Sequence, residues 1–588
     1  MFTIYTYSII KATSASQPYI RATIIAMWRK RFDIILIFVF FLFSFWLMFH
    51  TFGYDAVTSQ MRPATTTWSD FGSHLPLIRS FSMGANWPPE YPLFPGEPIR
   101  YHFLFYAIVG VLERIGVRID WALNIPSALG FGFLMVMIYL LAKELFRSRL
   151  VGLLSVVFFV FNGTLAFLSF FTKNPFGNGS LTEILTNTRF PSFGPWDGGY
   201  VSAFWNLNIY TNQRHLGLSL GLALFAIWML VKAEHASFRR RLSVGVANGI
   251  IVGLLVFINQ AAAATLILFA AWFVLTKSKF RLPILLGSFA AAPLALFYIS
   301  VARPAGSIEF HPWYLINDPI TVTKVITYWV YNLGLHTFLI PIGILLSPKR
   351  MKWVAVPLLA LFIIPNIFQF SPDMINNHKF FNFFMLIGSM YSAFALVWAA
   401  RRASRFVALA LHTHSYVKLV SYSFILLFNY SIILLLFLLL TFAGAIDFLV
   451  IRNDPQGHLN DINANPDIQF FATRTKPRDV VLNSYWFYHP ASLAGRSVYS
   501  GYAYFTWSYG YDKDKRESIV KAIYGAKDKA TACRILTIAH IAYVELSDKN
   551  EGYFAVNWDL WNNEFLPAYR NDASGMSVYS VKDNCISL

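Results

Sequence analysis

Long apolar stretches alternate with short basic segments through the first 450 residues of the chain. The first of them, residues 34–52, approaches the roughly 20 residues that a helix needs to cross a bilayer. Ten more stretches have the same character: 121–142, 150–171, 216–231, 242–259, 260–276, 282–300, 333–348, 353–370, 380–400 and 420–446. The pattern predicts an α-helical polytopic membrane protein with about eleven transmembrane helices in residues 34–450.

Composition and charge agree with this prediction. With 56% hydrophobic and only 13% charged residues, the chain is outside the usual range of soluble globular proteins. Every second segment between the spans belongs to one side, which holds 22 of the 33 basic residues of the first 450 but only three of their 15 acidic residues. Because Lys and Arg concentrate in cytoplasmic segments, residues 1–33 are predicted to be cytoplasmic and loop 53–120 to lie outside. The net charge of +18 thus reflects topology, and nucleic acid is not expected as a partner.

Residues 451–588 have a different pattern, with shorter apolar runs and 15 basic against 15 acidic residues. DVVLNSYWF from Asp479, IAYVEL from Ile541 and MSVYSV from Met576 predict strands, whereas ESIVKAIYGA from Glu517 and KATACRILTIA from Lys529 predict helices. We therefore expect a small extracytoplasmic α/β domain. Its Cys533 and Cys585 are either a disulfide or two small buried side chains.

A shorter apolar run, residues 101–117, contains Glu113 and Arg114 near its end. If it crossed the membrane, every later loop would change sides and most basic clusters would face outward. We therefore predict a juxtamembrane or re-entrant helix on the outer face.

The candidate chemistry is concentrated in residues 68–106, predicted to be a polar, proline-broken loop. This loop carries a dense set of ionisable groups: Asp70, His74, Arg79, Glu90, Glu97, Arg100 and His102. A carboxylate can accept the proton of an attacking hydroxyl, and Asp70 is the candidate base, with His74 orienting or polarising a substrate. Glu90 is a second catalytic candidate or a metal ligand, although whether a metal binds stays open. The plainer alternative is that Asp70 caps a helix beginning at Phe71.

A phosphate group needs cations, and the predicted outer face offers several. Guanidinium groups grip phosphate oxygens with paired hydrogen bonds. The candidate substrate-binding residues are Arg79, Arg100, His102, Arg214 and Lys379. Alternatively, Arg214 and Lys379 only anchor helix ends, and His102 is an ordinary interfacial histidine.

Loop 172–215 is rich in glycine, asparagine and aromatic residues, which suit sugars but also an interfacial aromatic belt. Motifs for nucleotide hydrolysis, serine hydrolysis and zinc chemistry are absent from the sequence.

The order of these parts resembles the GT-C glycosyltransferase superfamily, which includes protein O-mannosyltransferases and lipid A aminoarabinose transferases. The matching parts are span 34–52, the early acid Asp70, the apolar run 101–117, and LAKELFRSR at the end of the second span. The run GRSVYSGYAYFTWSYGYDKDKRESIVKAIYG, with IAYVEL after it, is also similar to outer domains of large prokaryotic membrane proteins of this kind. O-mannosyltransferases have Glu directly after the early Asp, whereas here Phe71 follows, so the role of a neighbouring acid does not transfer.

The resemblance implies an integral membrane enzyme, in the plasma or inner membrane if the source is prokaryotic. The donor would be a polyprenyl- or dolichyl-phosphate sugar, and Asp70 the base of an inverting displacement on the extracytoplasmic face. A glycan, a lipid and a protein remain open as acceptors, and a divalent metal remains open as a cofactor. Two other hypotheses are a transporter or flippase of lipid-linked glycans and a non-enzymatic assembly protein. Ion-coupled carriers place charges within the bilayer, whereas the predicted spans contain no Asp, Glu, Lys or Arg.

Overall fold

The computed structural model describes residues 17–303, 308–316, 318–411, 416–485, 487–547 and 554–585. Most of the predicted cytoplasmic segment 1–33 therefore lies outside the described residues or in a stretch described by its backbone alone. Among the described residues up to position 452, eighteen α-helices make up most of the chain: α1 Gln17–Thr51, α2 Trp68–Ser82, α3 Leu104–Arg114, α4 Ile119–Phe146, α5 Arg149–Val160, α6 Ala166–Lys173, α7 Ser180–Thr186, α8 Asn208–Asn212, α9 His215–Lys232, α10 Phe238–Ile258, α11 Gln260–Thr276, α12 Ser278–Val301, α13 Val322–Leu333, α14 His336–Leu346, α15 Lys349–Ile367, α16 His378–Leu411, α17 Tyr416–Leu439 and α18 Phe442–Arg452.

The number of candidate membrane spans is lower than predicted. Among the described residues, six helical segments are long and apolar enough to cross a bilayer, and up to eight cross if each of two bent pairs counts as one span. The bent pairs are α13 with α14, at 80°, and the end of α17 with α18, at 40°. Helices α5, α11 and α15 are apolar but short. Every predicted apolar stretch is thus helical, but the count of eleven spans is not confirmed.

The breaks have a physical cause that hydropathy does not register. The predicted span 150–171 divides at Asn162 and Gly163, while the predicted span 333–348 bends at Gly334, whose φ is +52°. These two breaks touch, because a Cβ atom on Gly334 would lie 1.9 Å from the Gly163 carbonyl oxygen. Two glycines therefore allow two interrupted helices to approach backbone to backbone.

The segment between α1 and α4, predicted to be a loop, is largely regular structure. Strands β1 (Phe52–Asp55) and β2 (Gln60–Pro63) form an antiparallel hairpin, and α2 follows. Strands β3 (Glu90–Tyr91) and β4 (Phe94–Pro98) form a second small hairpin. Helix α3 lies within the apolar run predicted to be a juxtamembrane helix. The prediction of a polar loop was wrong for α2, which continues through Pro76.

The remaining strands are β5 (Glu309–Phe310), β6 (Phe368–Gln369), β7 (Leu459–Asn460), β8 (Val480–Leu482), β9 (Ser497–Val498), β10 (Tyr543–Leu546), β11 (Pro567–Asn571) and β12 (Met576–Ser580). The C-terminal helices are α19 Pro466–Arg474, α20 Pro490–Leu493, α21 Ala503–Ser508, α22 Lys513–Tyr524, α23 Lys529–Ile538, α24 Trp558–Asn563 and α25 Val581–Cys585. Five strands form one mixed sheet in the order β11-β12-β10-β8-β9, in which β10, β8 and β9 are parallel. The three predicted strands and both predicted helices are present.

The C-terminal part packs closely on the segment after α1. Strand β7 of the C-terminal part pairs with β2. One hydrophobic core contains residues of the segment after α1, such as Phe71, and of the C-terminal part, such as Val481. Gly72 makes part of this approach possible, since a Cβ atom there would lie 2.5 Å from the Phe487 ring. Cys533 and Cys585 form a disulfide that ties α23 to α25, which resolves the two alternatives left by the sequence.

Candidate active site

Asp70 lies in the first turn of α2 and faces a cavity. Because α2 begins at Trp68, Asp70 is inside the helix and does not cap a helix starting at Phe71. Its side chain is half-buried and lines a cavity of about 330 Å³. Among the described residues, none forms a hydrogen bond with its carboxylate. The carboxylate is therefore available to a bound molecule.

The start of α2 is held by a carboxylate from the C-terminal side of the chain. The Asp454 side chain accepts hydrogen bonds from the backbone N–H and hydroxyl groups of Thr65 and Thr66 at 2.8–3.0 Å. Thr65 and Thr66 are the first two residues of the short 3-10 turn that precedes α2. Four hydrogen bonds to one carboxylate fix the first turn of the helix, and with it the position of Asp70.

Helical periodicity sorts the ionisable residues of α2. His74 is four residues after Asp70, about 40° away around the axis, and also lines the cavity. Arg79 is nine residues after Asp70, about 180° away, and points to the opposite face. The spacing alone therefore places Asp70 and Arg79, two members of the predicted set of ionisable groups, on opposite faces of α2.

The cavity measures about 330 Å³, which is within the usual size range of ligand sites. Five parts of the chain line it: the start of α2 with the residue two positions before it, Tyr101 before α3, the segment before α9 including α8, the loop before α16 with its first turn, and α21 with the residue after it. Its lining comprises Thr66, Ser69, Asp70, Ser73, His74, Tyr101, Phe193, Trp196, Ala203, Phe204, Asn208, Ile209, Asn212, Gln213, Asp373, Ile375, Asn376, His378, Lys379, Tyr504, Phe505, Ser508 and Tyr509.

Lys379 faces Asp70 from the first turn of α16. Its ammonium group donates a hydrogen bond to Asn376 Oδ1 at 3.2 Å, and it is the only Lys or Arg among the described residues that line this cavity. Asp373 also lines the cavity, but its carboxylate accepts from the Tyr504 hydroxyl at 2.7 Å and from the Ile375 backbone at 3.0 Å. A cation and a base are thus brought together from positions about 300 residues apart.

The electrostatics of the cavity favour a basic carboxylate. Burial in the protein raises the pKa of Asp70 from 3.8 to about 6, although the Lys379 ammonium opposes the rise. A carboxylate with this pKa is mostly ionised at pH 7 and holds a proton more readily than an ordinary aspartate. The group therefore has the protonation behaviour that a general base needs near neutral pH.

His74 is a neutral side chain in this setting. Burial lowers its pKa to about 3, with further lowering by Arg214 and Lys379. Its ring stacks on Tyr106 with 4.5 Å between ring centres, and Nδ1 has no hydrogen-bond partner among the described residues. His74 can therefore orient or polarise a substrate as a neutral imidazole, but it cannot supply positive charge.

A second cavity of about 210 Å³ adjoins the first and is lined by three of the predicted substrate-binding residues, Arg100, His102 and Lys379. Lys379, Tyr101 and Tyr509 line both cavities. The rest of its lining includes the start of α11 and the α16 side chain Phe380, both from apolar helices.

Arg100 and His102 differ in what keeps them from offering a free positive charge to a ligand. The Arg100 side chain is already paired with Glu97 at 2.7 Å and also donates to the Gly510 carbonyl. Burial lowers the pKa of His102 well below its usual range, so its imidazole is neutral. Of the groups around this cavity, Lys379 is the cation that reaches both spaces.

Arg79 has a structural position away from both cavities. Its guanidinium is almost fully buried and lies 3.0 Å from Glu113 Oε1 and 3.0 Å from Asp461 Oδ1. The predicted substrate-binding role is therefore replaced by an ion-pair cluster that joins α2, α3 and the segment after β7. The physical reason is that the guanidinium is on the face of α2 opposite to Asp70.

Arg214 and Glu90 also lie outside both cavities. Arg214 is buried against the end of α1, where it donates to the Thr51 hydroxyl at 2.9 Å and to the Asn124 side chain at 3.2 Å. Glu90 lines a separate groove, and its Oε2 accepts the Gly96 N–H at 2.8 Å. The hairpin β3–β4 turns Glu90 away from Asp70, so neither residue faces the cavity as the sequence predicts.

The sequence indicated loop 172–215 as a whole, but it did not single out the individual aromatic and amide side chains that complete the cavity. Tyr504 and Tyr509 come from the tyrosine-rich run GYAYFTWSYGY, whose ring density without a clear apolar period was the available signal. Asn208 and Asn212 come from FWNLNIYTNQRHL. Only the folded chain brings these runs beside Asp70.

No group of three or more His, Cys, Asp or Glu side chains within the described ranges is arranged to hold a metal ion. The cavity's Asp70, Asp373 and histidines therefore do not form a metal centre by themselves.

Comparison with known proteins was made for the sequence and the structure. No protein-family model and no curated protein matches the sequence. The structure is similar to the archaeal oligosaccharyltransferase AglB from Archaeoglobus fulgidus, solved with an inhibitory peptide and a dolichol-phosphate. That match has 15% identity and a TM-score of 0.46, and covers 88% of this chain and 69% of the other. It is also similar to ArnT from Cupriavidus metallidurans bound to undecaprenyl phosphate, with 10% identity, a TM-score of 0.48, and coverage of 93% of this chain and 98% of the other.

Proposed function

We propose that this protein is a membrane glycosyltransferase that moves a sugar from a polyprenyl-phosphate donor to a hydroxyl acceptor. The observation that carries the proposal is the meeting of Asp70 and Lys379 in one cavity, together with the second cavity that opens at Lys379 between apolar helices. A base and a cation that line the same cavity match the two charges that such a transfer develops.

The proposed reaction is a single displacement at the anomeric carbon of the donor sugar. Asp70 accepts the proton of the acceptor hydroxyl while the oxygen of that hydroxyl forms a bond to the anomeric carbon. The bond from that carbon to the phosphate oxygen breaks, and the electron pair leaves with the lipid phosphate. Lys379 stabilises the additional negative charge on the departing phosphate. A single displacement inverts the configuration of the anomeric carbon.

We propose that the two substrates bind on different sides of Lys379. The second cavity is lined by Gln260 and Ala264 of α11 and by Phe380 of α16, so it suits the phosphate end of a lipid. The larger cavity holds Asp70 and has neutral hydrogen-bonding groups, so it suits the sugar and the acceptor hydroxyl. Lys379, which lines both, then lies where the donor bond is broken.

We place the site on the extracytoplasmic side. The start of α11 and the start of α16 adjoin the cavities, whereas Lys277 follows the other end of α11. Lys143 is likewise near the end of α4, the end predicted to be cytoplasmic. Reporter fusions after Arg241 and Asn453 are expected to report opposite sides of the membrane, and reports from the same side would reject this topology.

The experiment that tests the function uses the purified protein in lipid nanodiscs with a radiolabelled polyprenyl-phosphate hexose and a panel of sugar, peptide and lipid acceptors. Release of polyprenyl phosphate together with labelled product is expected from the unaltered protein. Asp70→Asn is expected to lower turnover by about 100-fold or more, the usual size of a general-base effect. Glu90→Gln is the matched comparison, because Glu90 is a carboxylate of the same chain segment in a different groove. Full transfer by Asp70→Asn with loss in Glu90→Gln would show that the base is Glu90.

Transport of a lipid-linked glycan is a second candidate function, favoured by one observation. Asp447 is a buried carboxylate within the bent pair that ends in α18, and it accepts a hydrogen bond from Asn162 Nδ2 at 3.1 Å. The predicted span 420–446 ended one residue too early to include it, so the argument from uncharged spans is weaker than the sequence suggested. Transport would appear as movement of the labelled lipid between leaflets that Asp447→Asn abolishes and Asp70→Asn leaves intact.

A further inference from the structure

A compact loop places one tryptophan at the mouth of the main cavity. Trp196 is 54% exposed to solvent and also lines the cavity. Its ring centre lies 5.4 Å from that of Phe193 and 5.5 Å from that of Phe204, both of which line the same cavity. A side chain that is exposed to solvent and also lines the cavity lies where the cavity meets the solvent.

The loop is held in place by its own hydrogen bonds. The Asp197 carboxylate accepts from the backbone N–H groups of Phe193 and Gly199 at 2.7 and 2.9 Å. The Gly194 N–H donates to the Val201 carbonyl at 3.0 Å. Because folding has already ordered this loop, a ligand that contacts Trp196 does not have to order it on binding.

The wall of the same cavity also offers neutral polar groups. Asn212 and Gln213, from the end of α8 and the residue after it, line the cavity together with the Ser69 hydroxyl. Gln213 Oε1 is buried and has no hydrogen-bond partner among the described residues. A buried acceptor without a partner is costly, so a ligand hydroxyl that reaches it gains a hydrogen bond.

The charges of the cavity argue against an anionic acceptor. Lys379 is the only Lys or Arg among the described lining residues, and the proposed reaction assigns it to the lipid phosphate. Asp373 is already occupied by Tyr504 and a backbone N–H group. A second phosphate or carboxylate would therefore find no cation of its own, whereas a neutral polyhydroxy compound finds amides, hydroxyls and an aromatic face.

We propose that the acceptor is a carbohydrate whose ring stacks on Trp196 while its hydroxyls bond to Asn212 and Gln213. This inference rests on the glycosyl transfer proposed above and specifies the substrate class of the same site. The face of a sugar ring is apolar and its edge carries hydroxyls, which matches an aromatic platform beside neutral amides. The donor sugar is a different ring, because it is tethered to the phosphate at Lys379.

The chain offers a matched control in the same loop. Tyr200 is 57% exposed, a value close to that of Trp196, but it packs on Tyr331 and does not line the cavity. Three variants are compared with the unaltered protein: Trp196→Ala, Trp196→Phe and Tyr200→Ala. Binding of a set of methyl hexosides and methyl N-acetylhexosaminides is measured by saturation-transfer NMR without donor, and KM and kcat are then measured with the same probes as acceptors.

Saturation transfer to at least one methyl glycoside is expected for the unaltered protein and for Tyr200→Ala. Trp196→Ala is expected to weaken binding and raise the acceptor KM by about 10-fold or more, the size of effect known for stacking on an aromatic side chain, with kcat nearly unchanged. Trp196→Phe, which keeps a flat ring, should recover part of the loss.

Either of two results of the binding measurement would overturn the inference: no glycoside binding by the unaltered protein, or equal binding in Trp196→Ala. The donor KM of Trp196→Ala separates the two sugars. A rise in donor KM alone would place the donor sugar, and not the acceptor, at Trp196. Transfer to a peptide or lipid acceptor with an unchanged KM in Trp196→Ala would reject the carbohydrate acceptor and leave glycosyl transfer standing. Glycoside binding without release of polyprenyl phosphate would instead reject the proposed reaction.

Discussion

Replacing Asp70 by asparagine should make the protein less active and more stable. The substitution keeps the size of the side chain but removes its basicity, so turnover should fall by about 100-fold or more. Asparagine also carries no charge, and burial of the Asp70 charge is what raises its pKa from 3.8 to about 6. The rise of about two units corresponds to roughly 3 kcal/mol at about 1.36 kcal/mol per unit.

The direction of the effect with pH follows from proton linkage. The folded protein binds a proton at Asp70 more tightly than the unfolded chain does, because the folded pKa is higher. The ionised carboxylate therefore destabilises the fold fully above pH 6, and this cost disappears as the pH falls below the unfolded value of 3.8. Asp70→Asn should accordingly gain up to about 3 kcal/mol at pH 8 and gain little near pH 4.

The assay is thermal unfolding of both proteins in one detergent between pH 4 and pH 8, paired with turnover measurements. The expected result is a difference in unfolding midpoint that grows with pH while the activity of Asp70→Asn stays low. The pH profile of the unaltered protein should lose activity below about pH 6, since the base must be ionised. A variant that is inactive and less stable at pH 8 would refute the reasoning, because the loss would then come from structural damage.

Three further predictions concern other parts of the molecule. Lys379→Met should raise the donor KM and lower turnover, and it should move the acid limb of the pH profile upward, because Lys379 lowers the pKa of Asp70; an unmoved limb would exclude this coupling. Arg79→Met should lower the free energy of unfolding by about 3–5 kcal/mol, since two buried carboxylates lose their cation, and an unchanged denaturation midpoint would show that the cluster adds no net stability. Reduction of the bond between Cys533 and Cys585, which are 52 residues apart, should cost roughly 4 kcal/mol, and alkylation of both thiols in the denatured protein without a reductant would contradict the bond.

The apolar pattern was sufficient to predict a mostly helical membrane protein, because hydrophobic length and the distribution of basic residues are local properties of the chain. It could not show which stretches remain single helices. That outcome depends on the contact between Gly163 and Gly334, two residues of different stretches, and on a φ of +52° at Gly334 that only the folded backbone reveals.

The residues of the site also fall into two groups, those that the sequence could predict and those that only the fold brings together. Asp70 and His74 could be placed on one face of a helix from their spacing, and the same spacing should have excluded Arg79. The partners of Asp70 could not be found locally: Lys379 and Tyr504 come from distant segments that meet only in the tertiary structure. The sequence by itself determined which chemistry was available near the first span. Tertiary packing decided which of those groups face a common cavity, because burial and distance, which set both the pKa of Asp70 and its access to Lys379, do not exist before the chain folds.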